Sequence, residues 1–148
     1  MNIELLKNVV DYGIIGLLGL MSFIALWFWI ERLLFYRSVN INDYETKEEL
    51  EIALTNHINI ISTFGSNAPY IGLLGTVFGI IITFYAMGQS GEMDAKMIMT
   101  SLALALKATA MGLIVAIPSI VFYNHLARKI EVLSAKWDIV NKRKYNAN

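Results

Sequence analysis

The sequence contains no cysteine and only two prolines, and 16% of its residues are charged, against about 25% in a typical soluble domain. Without cysteine there is no disulfide, no thiolate nucleophile and no thiolate-held metal. His57 and His125 stand apart, with no second histidine or carboxylate at ligand spacing, so no metal centre is expected. No phosphate-binding glycine loop, catalytic triad or pair of intramembrane carboxylates occurs. The residues that ATP hydrolysis or intramembrane proteolysis require are therefore missing, and neither an enzyme nor a cofactor is expected. Positive and negative side chains balance to zero net charge, and nothing in that balance points to nucleic acid.

What the chain has is apolar length. Hydrophobic residues make up 56% of its 148 positions. The uncharged run Tyr12 to Ile30 is as long as the roughly 30 Å hydrocarbon layer at about 1.5 Å per helical residue. It predicts a first span at 12–30 after a short N-terminus at 1–11. The run ends in "FWIERLLFYR" instead of a small-residue cleavage site, so the span is expected to stay attached. The segment 31–68 turns polar. Within it Leu50, Ala53, Leu54 and Ile58 recur at helical spacing, which predicts one short amphipathic helix. Pro69 suits a first helical turn and disturbs an interior, so a second span is placed at 69–87 with Pro69 as its cap or kink. A polar turn at 88–96 leads to a third span at 97–123, which contains Lys107 and a second candidate kink, Pro118. The tail at 124–148 keeps Leu126, Ile130, Leu133, Trp137 and Val140 in a heptad-like seam, so the third helix is expected to continue into water and pack on the amphipathic helix or a sister subunit.

Basic residues set the orientation. Arg32, Arg37 and Lys47 follow the first span and Arg128, Lys129, Lys136, Lys142, Arg143 and Lys144 follow the third, against Lys7 and Lys96 on the other side. The loop and tail are therefore expected in the cytoplasm and the N-terminus outside.

Two of the spans are interrupted by small residues at helical spacing. Gly72, Gly75, Thr76, Gly79, Thr83 and Ala86 share one stripe of the second span, and Ser101, Ala105, Ala108, Thr109, Gly112, Ala116 and Ser119 share one stripe of the third. Small residues let transmembrane helices approach closely, and Gly75 with Gly79 forms a GxxxG pair. The same faces could instead line a narrow hydrated path, with threonine hydroxyls as donors and acceptors. Periodicity does not choose between the two. If the stripes are subunit interfaces, Gly75→Leu or Gly112→Leu should disturb assembly more than Ile81→Leu.

The stretches "NAPYIGLLGTVFGIIITFYAMG" and "ALKATAMGLIVAIPSIVFYN" resemble the paired signature helices of the ExbB/TolQ proteins, relatives of the MotA flagellar stator subunit. The short chain and compact loop are most similar to ExbB, whereas MotA-like proteins usually have four spans. The resemblance implies an all-α membrane protein with three transmembrane helices and helical cytoplasmic extensions, forming a homo-oligomeric bundle of typically five copies in the bacterial inner membrane. It implies a proton-channel and motor subunit that works with an ExbD-type single-span partner bearing a membrane aspartate, and that energises a TonB-type protein. By the same resemblance Thr76 in "GLLGT" and Thr109 in "KAT" face that aspartate, and Thr83 extends the lining. Membrane lipid is the remaining partner. A TolQ-like subunit of a Tol-Pal system and a non-conducting scaffold are the alternatives; a solute carrier is disfavoured, because no repeat or broken-helix site is present.

Two positions depart from that pattern. Leu104 stands where many relatives carry a glutamate, and Lys107 is the charged residue of the third span. Ten residues beyond Met97, Lys107 is expected roughly 15 Å into the membrane, with Asp11 nearer the outer surface and no acid of this chain at its depth. An inter-subunit polar contact, hydration or a neutral amine, and a direct role with the partner's aspartate are its three candidate situations.

Overall fold

The computed structural model describes residues 2–92 and 94–147. The chain forms α1 (Ile3–Ser38), a 3-10 turn (Ile41–Asp43), α2 (Lys47–Thr55), α3 (Ile58–Ser90) and α4 (Ala95–Ala147). Three of these helices, α1, α3 and α4, are long and apolar enough to cross a membrane. α1 and α4 run parallel, with Asp11 beside Lys107 at one end and Trp29 beside His125 at the other. α3 runs against both.

Local chemistry fixes the helix ends. Asn2 accepts a hydrogen bond from the Leu5 N–H at the start of α1 (3.4 Å). Thr46 does the same for Glu49 in α2 (3.2 Å), while the Glu49 carboxylate reaches back to the Glu45 N–H, a variant of the capping box. α3 stops at Gly91, whose φ of 67° is open to glycine and whose N–H bonds the Met87 carbonyl.

The amphipathic helix is shorter than the apolar spacing predicts. His57 adopts a left-handed φ of 67°, which breaks the chain after α2 and gives Ile58 to α3. Such a conformation costs a non-glycine residue roughly 1–2 kcal/mol; here the imidazole stacks on Phe28 with 4.7 Å between ring centres. Of the two roles expected of Pro69, cap or kink, the cap is ruled out, because α3 has already run from Ile58 when it reaches Pro69, which stands inside the helix. Proline removes one N–H and crowds the carbonyl four residues back, that of Gly65. Gly65 and Ala68 are buried against α4, and this packing carries the helix through. Pro118 likewise stands inside α4.

At the polar end, Tyr36, Leu50, Leu54, Ile58, Ile61 and Leu126 form a core, with Trp29, Ile130, Leu133 and Trp137 packed around it. The seam of α4 thus rests on α2 and the preceding turn of its own chain. Helix α2 ends with carbonyls that have no helical donor, and α1 supplies donors from two successive turns. Arg32 Nη1 donates to the Ala53 carbonyl (3.0 Å) and the Tyr36 hydroxyl to that of Leu54 (2.6 Å). Arg32 is 4% exposed; it also pairs with Glu31 and lies over the Phe35 ring at 4.4 Å. That hydrogen bond holds the Glu31 carboxyl below its ordinary range. Lys47 to Asp138 (2.6 Å) and the Trp137 indole to the Tyr44 carbonyl (3.3 Å) complete the clamp.

Burial pushes the Tyr36 phenol up to about 12. The folded chain then keeps a proton that the unfolded chain releases near pH 10, so this contribution is intact below about pH 10 and is lost as pH rises toward about 12. Tyr36→Phe strands the Leu54 carbonyl, at a cost of about 1–3 kcal/mol. Thermal unfolding followed against pH should show a lower midpoint for the variant at neutral pH, and a smaller alkaline decline than in wild type.

Candidate functional site

The site lies on the seam between α3 and α4, where the glycines remove the side chains that would hold two backbones apart. A Cβ built on Gly72 would stand 2.6 Å from the Ala108 carbonyl oxygen and 3.0 Å from Gly112 Cα. One on Gly112 would meet the Ala68 carbonyl oxygen at 2.6 Å and Gly72 Cα at 3.0 Å. Toward the α3–α4 turn, Cβ atoms at Gly75 and Gly79 would fall 2.8 and 2.9 Å from the methyl carbons of Ala108 and Ala105. Ala105 and Ala116 are buried along the same line. The two small-residue stripes therefore face each other inside one chain. Gly13, Gly16 and Gly19 of α1 have no such neighbour within 4 Å.

Close approach brings two hydroxyls together. Thr76 Oγ1 lies 2.6 Å from Thr109 Oγ1 and 2.9 Å from the carbonyl oxygen of Ala105. Thr76 is buried, at 6% exposure, whereas Thr109 is only partly covered. The proton count leaves two arrangements. Thr76 can donate to a backbone carbonyl, that of Ala105 or at 3.4 Å that of Gly72, and accept from Thr109, or it can donate to Thr109, whose own hydrogen is then free for a group outside the seam. Thr83 is one further step along the stripe, and its hydroxyl donates to the Gly79 carbonyl one turn back (2.7 Å). It is not joined to the other two.

Lys107 projects from another face of α4. With Asp11, Ile14, Ile15, Leu104, Ala108 and Met111 it lines a cleft of about 110 Å³ between α1 and α4. The expectation that this chain offers no acid near the lysine is thereby corrected. Counting from the start of the third span gives the depth of Lys107 alone, whereas the register between α1 and α4 is set by packing. Arg32 and Tyr36, whose bonds to α2 the sequence does not reveal, hold the polar end together and lie outside this site. Their only signal is the position of two polar side chains one turn apart just beyond the apolar run.

Three apolar helices, a glycine seam and a paired-threonine element define a multi-pass membrane protein with a hydroxyl pair at its closest helix contact. The chain belongs to the MotA/TolQ/ExbB proton channel family, whose sequence model matches residues 29–139, and within it to the ExbB-type biopolymer transport proteins. It is 52% identical over 139 residues to biopolymer transport protein ExbB of Helicobacter pylori, covering 94% of this chain and 96% of that one. Identity to the Aquifex aeolicus ExbB is 51% over 138 residues, 93% of each chain. The Neisseria gonorrhoeae ExbB matches at 42% over 78 residues, 53% of this chain and 36% of that longer protein. This is a family of transport proteins and not of enzymes.

Proposed function

We propose that this chain is the channel subunit of an inner-membrane, ExbB–ExbD-type motor, in which proton flow through a homo-oligomer, typically a pentamer, energises a TonB-type protein for transport across the outer membrane. The observation that carries the reading is the Thr76–Thr109 hydroxyl pair, 2.6 Å apart, the one place on the seam where hydroxyls of the two helices meet among the described residues. An ionised carboxylate is costly in hydrocarbon. A half-covered hydroxyl whose hydrogen can turn outward offers a donor to the partner's aspartate when it is charged, and an acceptor when it is protonated. The buried Thr76 holds the alternative position for the hydrogen, so exchange between the two arrangements needs no movement of either helix. Membrane-spanning portions near 12–30, 69–87 and 97–123 lie inside the longer helices, and the basic residues at 32–47 and 128–144 favour a cytoplasmic loop and tail.

The test is proton flux in liposomes that contain this chain and its single-span partner. Flux should appear with both proteins and vanish when the partner's membrane aspartate is replaced by asparagine. Flux that survives that change would reject the proposed path, and its absence with both wild-type proteins would favour a scaffold. Orientation is checked in cells with an impermeant thiol reagent, which should label Ser90→Cys but not Asn146→Cys from outside; the reverse pattern would overturn it.

A further inference from the structure

Among the described residues the ion pairs are Arg32–Glu31, Lys47–Asp138 and Arg128–Glu131, and Lys107 belongs to none of them. A charged lysine within an apolar span needs a counter-ion or water. Asp11 is the acid that shares its cleft.

The helix register brings the two to the same level. At the far end of the α1–α4 contact the Trp29 indole donates to His125 Nδ1 (3.3 Å), across a sequence separation of 96. Asp11 and Lys107 are separated by that same interval. Each lies eighteen residues before its helix's member of the Trp29–His125 pair, which is about five full turns and about 27 Å. Five full turns return a side chain to the face from which it started. The face and the level at which Trp29 meets His125 are therefore repeated at Asp11 and Lys107, and the crossing of the two helices sets the width of the cleft between them. A second contact agrees to within a turn, because Ile14, three residues after Asp11, and Ala108, next to Lys107, both meet the position of a Cβ on Gly75 (3.1 and 2.8 Å).

We propose that Asp11 is the counter-ion of Lys107, the two forming a hydrated charge pair across the cleft between α1 and α4. The cleft, at about 110 Å³, exceeds the roughly 10–15 Å³ that one water needs, so the pair exchanges between direct and water-bridged contact. Trp29 with His125 and Asp11 with Lys107 then bracket α1 and α4 with polar contacts about 27 Å apart, close to the roughly 30 Å thickness of the hydrocarbon layer. On this register a first span at 12–30 sets Lys107 at a membrane boundary, which requires the third span to begin beyond residue 97; the pairing itself depends on neither span.

A carbodiimide, which joins an amine to a carboxylate without a spacer, tests the pair in the intact wild-type oligomer. Digestion and mass spectrometry should find Asp11 linked to Lys107, with the Lys47–Asp138 link as internal control. Oligomers assembled from light and heavy isotope chains distinguish linkage within a chain, where both peptides carry one label, from linkage between chains. Same-label Asp11–Lys107 peptides alone are expected. Mixed-label peptides, or none while Lys47–Asp138 is recovered, would overturn the proposal. As a second measurement, Asp11→Lys with Lys107→Asp should recover most of the thermal stability lost in either single change. A swap less stable than both would also overturn it.

Discussion

Gly112→Ala should lower the stability of the chain by about 1–3 kcal/mol, the range of overpacked cores. Alanine is ordinarily the better helix former, by about 1 kcal/mol, so the sign is the informative part. The new methyl would stand 2.6 Å from the Ala68 carbonyl oxygen and 3.0 Å from Gly72 Cα. Both are backbone atoms, which cannot turn aside as a flexible side chain does, so α3 and α4 must separate. Gly72→Ala meets the Ala108 carbonyl in the same way. Gly88→Ala, with nothing within 4 Å, should be neutral or slightly stabilising. Thermal unfolding of the three variants in lipid nanodiscs would measure the difference, and a Gly112→Ala midpoint at or above wild type would mean that the seam is looser than described. Because this seam lies inside one chain, Gly112→Leu should reduce the amount of folded subunit before it alters how subunits associate.

Thr76→Val with Thr109→Val should reduce proton-driven uptake by about tenfold to a hundredfold while leaving abundance and oligomer size nearly unchanged. Valine keeps the branched shape and removes the hydroxyl. The Ala105 carbonyl keeps its helical donor, so no buried acceptor is stranded and the structural cost stays near the roughly 1 kcal/mol of one neutral hydrogen bond. A hydroxyl that bonds an ionised carboxylate contributes about 1.5–3 kcal/mol, and that difference sets the expected loss of uptake. Thr109→Val should account for more of it than Thr76→Val, since Thr109 is the less covered of the two. Thr83→Val, whose hydroxyl bonds its own helix, should be the mildest. Uptake at the wild-type rate in the double variant would reject any need for the hydroxyls.

The three apolar helices were legible in the sequence because hydropathy and helix length suffice to define them. So were the small-residue stripes, since glycine and threonine at three- and four-residue intervals have no other reason to align. What covers a stripe was not legible. Periodicity names a face but not the helix opposite, and a sister subunit explained Gly75 and Gly112 as well as α3 and α4 of one chain do. That α3 begins well before Pro69 was not legible, because a proline's local preference says nothing of the packing of Gly65 and Ala68 on α4. The proximity of Asp11 to Lys107 was missed for a related reason. Depth along each helix can be counted from its own ends, but the offset between two helices is decided by contacts such as Trp29 with His125.

Helix α4 extends unbroken from Ala95 to Ala147 over 53 residues, about 80 Å. Thr109 sits about 21 Å from its first residue and about 57 Å from its last, which makes the helix a lever with unequal arms. A tilt of about 5° centred on Thr109 would carry Ala147 through about 5 Å and Ala95 through less than about 2 Å. Asp138 and Trp137, held by Lys47 and Tyr44, stand well out along the longer arm. Any tilt about that point would thus be felt far more at α2 and the tail than at the α3–α4 turn.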